Sequence, residues 1–366
     1  MITNPKDQIT SSQAAVAVAS ILVGAGILTL PRSAAEQMNT PDGWIAVILG
    51  GLVTMGIAAV LVKLSQRFPG KTFYLYSQEI VGKFLGYLLS LVLVVYFTLL
   101  AGFEIRTMGE VTKSYLLLAT PKEVTMIMML WVGVYLVVGG INPMMRLFEI
   151  LLPPTVLIFF VVLLLSLQIF ELDNLRPVLG QVTPLFKGVQ TTSLAYAGVE
   201  AMLILTAFMR EPDKAVKAVL VGIAFPIAFY VMTMVMVIGG LSVDLAKLTT
   251  WPTISLIQSF EVTGIVFERF ETFLLAVWIL QIFTTFASAY YFAALGLSQL
   301  FKKNIHPFIY ALLPLIYLVA MTPKNVNDLF KLGDLLGYIF VFVAGIMPPI
   351  LLAIAVLRGK KHGPKA

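Results

Sequence analysis

Gly24-Ala25-Gly26-Ile27-Leu28-Thr29-Leu30-Pro31 interrupts the first long hydrophobic segment of the chain about two-thirds of the way along it. Two glycines one residue apart weaken a helix, and Pro31 has no backbone N–H to donate, so the stretch is expected to leave helical geometry. Open backbone inside a bilayer is tolerated only where it faces protein or a water-filled cavity. A break here therefore points to a buried site for a small polar ligand.

The surrounding composition requires a membrane. Of 366 residues, 59% are hydrophobic and 12% charged, and the mean hydropathy is +0.94, outside the range of a soluble domain. A spanning helix needs roughly 20 apolar residues, whereas a barrel strand alternates over about ten. The long uncharged runs fit helices, so the fold class is all-α integral membrane. The chain has no cysteine, which removes disulfides and thiolate metal sites. His306 and His362, its two histidines, fall in predicted loops, and no metal centre is expected. Met1 to Ser12 is polar and the first apolar run is too long for a cleavable leader, so none is expected.

Ten spans are expected, over residues 10–37, 43–65, 83–109, 124–140, 149–170, 188–209, 215–241, 270–300, 307–320 and 332–357. With a cytoplasmic N-terminus, the inner segments carry Lys6, Lys63, Arg67, Lys71, Lys83, Arg146, Arg210, Lys214, Lys217, Lys302, Lys303, Arg358, Lys360, Lys361 and Lys365. These are about fifteen of the 25 basic residues, so the positive-inside rule places both termini in the cytoplasm. The net charge of +6 thus follows topology rather than nucleic-acid binding. A second interruption, Ser193-Leu-Ala-Tyr-Ala-Gly-Val-Glu200, lies in the sixth span, about half a chain after the first. Broken helices at matching positions of two halves are the sequence pointer to an inverted-repeat fold with a midplane site. Five spans per half is an odd number, which requires opposite topology. The expectation is one transmembrane domain, 1–366, with repeats at about 10–170 and 188–357.

Several strings resemble the B subunits of bacterial spore germinant receptors, within the amino acid, polyamine and organocation permease superfamily. They are Val23 to Pro31, Thr40-Pro-Asp-Gly-Trp44, Gly102-Phe-Glu-Ile-Arg-Thr107, Asn174-Leu-Arg-Pro-Val-Leu-Gly180, Trp251-Pro-Thr-Ile-Ser-Leu256, Glu268-Arg-Phe-Glu271, Phe283-Thr-Thr-Phe286 and Leu336-Gly-Tyr-Ile-Phe340. The resemblance implies a LeuT-like permease fold in the spore inner membrane, in complex with an A and a C subunit, sensing an amino acid or similar nutrient.

Candidate ligand residues come from four spans. Amides freed at Gly24, Ala25, Gly26 and Ile27, with the positive end of the half-helix that follows, suit a carboxylate. Close helix packing is the other reading of the two glycines. Tyr196, Ala197 and Gly198 would offer unwound carbonyls to an ammonium group, with small residues leaving room. Glu200, a carboxylate in an apolar segment, can carry a proton, pair with a ligand amine, or cap amides released by the break. Tyr96 offers a hydroxyl or packs. Glu104 and Arg106 are two apart and do not face each other, so each is expected to pair with another element towards the outer end. Thr284 and Ser288 share a face while Thr285 points elsewhere; their hydroxyls can bind ligand, complete a sodium site with first-helix carbonyls, or bond their own backbone. The fifth span has no ionisable residue between Glu149 and Glu171, so the lysine that some proton-coupled relatives use is absent.

Trp251 to Glu261 reads as a short amphipathic helix, either capping the vestibule or lying at the interface anchored by Trp251. No catalytic constellation or phosphate-binding loop occurs, so neither an enzyme nor a cofactor is expected. The functions left open are a ligand-sensing receptor subunit, a proton- or sodium-coupled amino acid transporter, and a passive pathway for ions or water through the same core.

Overall fold

The computed structural model describes residues 7–180, 183–259 and 270–360, and excludes the side chains of residues 270, 271 and 273. Lys6, Lys361, Lys365, His362, Glu261 and the side chains of Glu268-Arg-Phe-Glu271 thus lie outside the described residues.

The chain enters through Thr10, whose hydroxyl accepts from the Gln13 N–H at 3.1 Å while Gln13 Oε1 accepts from the Thr10 N–H at 3.0 Å. This reciprocal cap starts α1 (Ser11–Leu22). A break at Val23 to Ala25 leads into α2 (Gly26–Met38), bent by 50° from α1. There follow α3 (Gly43–Gln66), α4 (Phe73–Val81), α5 (Lys83–Val111), α6 (Lys122–Val138), α7 (Ile141–Ser166) and α8 (Thr183–Thr191). Residues 192–198 are turns. The chain resumes as 3-10 helix Val199–Ala201, α9 (Met202–Leu205) and 3-10 helix Thr206–Phe208. Then come α10 (Ala215–Leu248), α11 (Pro252–Gln258), α12 (Phe270–Phe301), α13 (His306–Met321), α14 (Val326–Phe340) and α15 (Met347–Leu357), the last pair joined by a π-helical segment, Val341–Ile346.

Among the described residues six helices are long and apolar enough to cross a membrane, or seven if the bent pair α1 and α2 counts as one span. The other expected spans hold helices of at most 17 residues, α6 and α13, or the interrupted stretch from α8 to Phe208. Span length alone therefore does not give ten.

Two boundaries move for identifiable reasons. The seventh segment runs past residue 241 to Leu248, because the chain bends at Ser242 (φ 66°) and then resumes helix. Pro31 lies inside α2, so the first interruption is made by Gly24 and its neighbours alone. The effect of Pro31 is one turn back: with no N–H at position 31, the Ile27 carbonyl lacks its helical donor, and Thr253 Oγ1 donates to it at 2.7 Å. α11 is thereby held against α2. Trp251 is 2% exposed, packed near the Phe330 ring, so it faces protein and not an interface.

α5 and α12 run against each other through the centre, and α3 packs along α10. α12 has 78% of its apolar window buried, the highest share of the six, as befits a helix surrounded by protein. The resemblance strings of the loops meet in space: Asp42 Oδ1 accepts from the Leu179 N–H at 2.9 Å, and Asn174 Nδ2 donates to the Gly239 carbonyl at 2.9 Å. At the other end, Ile9 forms a two-bond parallel bridge with the chain after α9. Its N–H donates to the Phe208 carbonyl and its carbonyl accepts from Arg210, both at 2.9 Å.

Candidate functional site

At the first break the backbone runs short of partners. The amides of Gly24, Ala25, Gly26 and Ile27 reach no backbone carbonyl among the described residues, and α2 has no side-chain cap. These are the orphan donors that any helix start exposes. Glu104 of α5 supplies an acceptor. It is 3% exposed, a Cβ built on Gly24 would stand 3.2 Å from its Oε1, and the Ala25 backbone interacts with the carboxylate. Among the described residues Glu104 makes no ion pair, and its Oε2 has no hydrogen-bond partner. Glu104 and Arg106 each reach another element as expected, but through backbone groups rather than an ion pair between elements. Arg106 pairs with Glu110 on its own helix at 2.9 Å and donates to the Ala320 carbonyl of α13 at 3.1 Å. Glu104 faces the opposite way, into the break.

The carbonyl side of the same break is held by α12. Thr285 Oγ1 donates to the Ile21 carbonyl at 2.8 Å, and Trp278 Nε1 to the Gly24 carbonyl at 3.3 Å. Thr284 Oγ1 has two acceptors, the Ser20 carbonyl at 3.1 Å and Gln281 one turn back at 2.7 Å. Thr284 and Thr285 thus both reach the first helix. Ser288, on the Thr284 face, is buried with its hydroxyl unpartnered.

The second break is turned over on itself at Gly198, whose φ of 120° disfavours any side chain and whose added Cβ would lie 2.5 Å from Ile21 Cγ2. Glu200 Oε2 accepts from the Gly198 N–H at 2.9 Å. This is the capping role among the three considered, and Oε1 remains unpartnered. The Tyr96 hydroxyl faces Glu200, yet neither it nor Oε1 completes a hydrogen bond. Tyr196 lies within the second break, and its hydroxyl points away and donates to the Val47 carbonyl of α3 at 2.8 Å.

Tyr230 of α10 ties the two breaks together. Its hydroxyl contacts the Leu22 carbonyl at the end of α1 and the Ala195 carbonyl of the second break at 3.1 Å. Gly26 backs onto this pair: a Cβ there would stand 2.5 Å from the Tyr230 hydroxyl and 3.1 Å from Ala195 Cα. The breaks are in direct contact, and close packing at Gly26 is real.

Of the twelve residues proposed from sequence, Gly24 to Ile27, Thr284 and Thr285 come together around the first break, and Tyr96, Gly198 and Glu200 around the second. Tyr230 and Trp278 were missed, and Glu104 was noticed but given another role. An unpaired run of amides demands an acceptor, and that demand was the available signal for Glu104.

Cavities flank this assembly. A small apolar one abuts the start of α2 at Ile27, Leu28 and Trp278. A polar one, lined by Ser33, Glu36, Lys187, Gln190, Ser193 and Asp334, reaches the entrance of the second break. A third, apolar, opens beside Tyr96 between α5 and α14. None of the three takes its lining from Ala197 or Gly198.

A family profile described as "Spore germination protein" matches residues 8–329. The chain is 46% identical to spore germination protein YndE of Bacillus subtilis, over 99% of each chain. It is 37% identical to spore germination protein A2 of the same organism, over 93% of each. A remoter likeness, 25% identity over 61% of this chain and 50% of the other, is to an arginine/agmatine antiporter of Chlamydia felis. Among solved structures, MhsT in complex with L-phenylalanine superposes with a TM-score of 0.71 at 12% identity, covering 96% of this chain and 98% of MhsT. Mhp1, a nucleobase-cation-symport-1 family transporter, gives 0.74 at 12% identity, covering 98% and 82%. At such identity these two establish the fold alone.

Proposed function

Because the chain belongs to the spore germination protein family of permease-like membrane proteins, we propose that it is the nutrient-sensing subunit of a germinant receptor. It binds a small amino acid-like ligand between the broken first and sixth helices, acts with A and C partner subunits in the spore inner membrane, and catalyses no reaction. The observation that carries this reading is the meeting of two helix breaks at buried, incompletely paired polar groups: Ser20 Oγ, Tyr96 OH, Glu104 Oε2, Glu200 Oε1 and Ser288 Oγ. Native interiors leave few polar atoms unpaired, and such groups concentrate where ligands bind.

The ten-span inverted repeat, with both termini cytoplasmic, is part of the proposal. Packing supports it: α3, α5 and α6 pack on α10, α12 and α13 respectively, and α1 packs on α10 as α8 and α9 pack on α3. A two-fold relation between halves converts each of these pairs into itself or its counterpart. In this arrangement the polar cavity at Ser33 and Ser193 is the external mouth.

A second reading, a coupled amino acid transporter, draws on the hydroxyls of Thr284 and Thr285 against first-helix carbonyls, an arrangement suited to a sodium ion. Reconstitution separates the two. Binding of one or more of the common amino acids by the purified chain, without concentrative uptake into proteoliposomes, is the expected result. Robust concentrative flux would favour the transporter, and absence of binding by any amino acid, with or without partner subunits, would refute the site.

A further inference from the structure

The amides of the first break make a ready cradle for an anion, and the chain already presents a carboxyl group to it. Gly24 lies between Thr285 and Glu104, and any Cβ at position 24 would meet both side chains. Its absence lets Glu104 approach the α2 start. Glu104 carries one oxygen beside the break and one that is buried and unpartnered, and Arg106, the nearest cation in sequence, is engaged by Glu110. Tyr230, which bridges both breaks, is within electrostatic reach of the same carboxylate. Among the described residues Glu104 thus has neither a counter-ion nor a full set of donors except through the break.

We propose that Glu104 is an internal occupant of the anion cradle at the first helix break, and that a carboxylate-bearing ligand enters by exchange with it. The ligand class rests on the functional reading above. The occupancy itself does not. An external carboxylate competes with a tethered one, whose effective concentration is on the order of millimolar or more. Apparent affinity is therefore weakened by a group of this chain, and removing that group must strengthen binding of simple carboxylates.

The test uses acetate as the probe on the purified full chain in detergent, with sodium chloride balancing ionic strength, and reads melting temperature in wild type, Glu104→Ala and Glu104→Gln. Acetate is expected to raise the melting temperature of Glu104→Ala by about 2 °C or more and saturably, as a ligand bound only by the folded state does. Glu104→Gln, with a weaker competing oxygen, responds at higher acetate, and wild type least. Should Glu104→Ala not fold, the order of Glu104→Gln against wild type decides alone. Equal responses in every protein tested, or none in the variants, overturn the proposal. So does stabilisation of wild type by ethylammonium chloride that both variants lose, since that would make Glu104 a cation ligand. Acetate binding in the variants with no amino acid binding in wild type would keep the occupancy and remove the functional reading. Amino acid binding that is indifferent to Glu104 would do the reverse.

Discussion

The contact between Gly26 and Tyr230 yields a quantitative prediction, a double-mutant cycle between Gly26→Ala and Tyr230→Phe. In Gly26→Ala the new methyl would lie 2.5 Å from the Tyr230 hydroxyl, nearly 1 Å inside ordinary contact. Overpacking of this kind costs about 1–3 kcal/mol, and a displaced hydroxyl loses its bond to the Leu22 or Ala195 carbonyl, about 1 kcal/mol more. Ala returns about 1 kcal/mol through helix propensity, leaving a loss of about 1–3 kcal/mol. Tyr230→Phe keeps the ring, which meets Tyr196 edge-on at 5.8 Å, but leaves two buried carbonyls short of a donor, about 1–2 kcal/mol. With the hydroxyl gone, the nearest atoms to the methyl are Ala195 Cα at 3.1 Å and the ring carbon at 3.2 Å, which a few tenths of an ångström relieve. The double variant should therefore lose about 1–2 kcal/mol less than the sum of the singles. At roughly 2 °C per kcal/mol for a chain of this size, thermal unfolding followed by tryptophan fluorescence in detergent resolves that coupling. Additivity within about 0.5 kcal/mol would refute the contact, and with it the direct apposition of the two breaks.

Substitutions at three further positions probe separate features of the breaks. Gly198→Ala meets both a φ of 120° and Ile21 Cγ2 at 2.5 Å, so a loss of about 2–3 kcal/mol is expected, and a melting change below about 1 °C would show that the turn is not held as described. Glu200→Gln retains an acceptor for the Gly198 N–H and should melt within about 2 °C of wild type, whereas Glu200→Ala should lose about 1–3 kcal/mol. Equal losses would mean that the carboxyl does not cap. Thr285→Val removes the donor to the Ile21 carbonyl at about 1–2 kcal/mol, and Thr285→Ser should recover most of it. A serine variant as unstable as the valine one would discount the bond.

Both helix interruptions were legible in the sequence, because Gly24-Ala-Gly26 and Gly198 are backbone statements that need no knowledge of neighbours. The side chains that complete the breaks were legible only in part. Thr284 and Thr285 stood out as hydroxyls in an apolar run. Tyr230 did not, since α10 is apolar around its whole circumference and an aromatic residue there looks like any other packing group. Glu104 was expected to pair with another element, but which one was not legible. The real determinant was a shortage of acceptors 80 residues upstream, which no local spacing rule registers. The role of Pro31 was similarly displaced: its missing N–H acts at Ile27, through Thr253, on a different segment.

These internal partners also bear on how a binding event could be read out. A ligand shifts a conformational equilibrium only by its differential affinity for the two states. Were the breaks simply open, a zwitterion could fill them with little consequence for the helices. Here the Leu22 and Ala195 carbonyls already share the Tyr230 hydroxyl, and Thr285 holds Ile21. A ligand group that takes either shared carbonyl must loosen a bond joining α1, the second break and α10. The opposite end of the same pair is fixed by backbone hydrogen bonds through Ile9, which no side-chain exchange releases. Under the sensing function proposed above, loosening at the breaks with retention at Ile9 would place the resulting motion on the α2 and α8 side, where the polar cavity lies, a coupling that a sensor can use without a transport cycle.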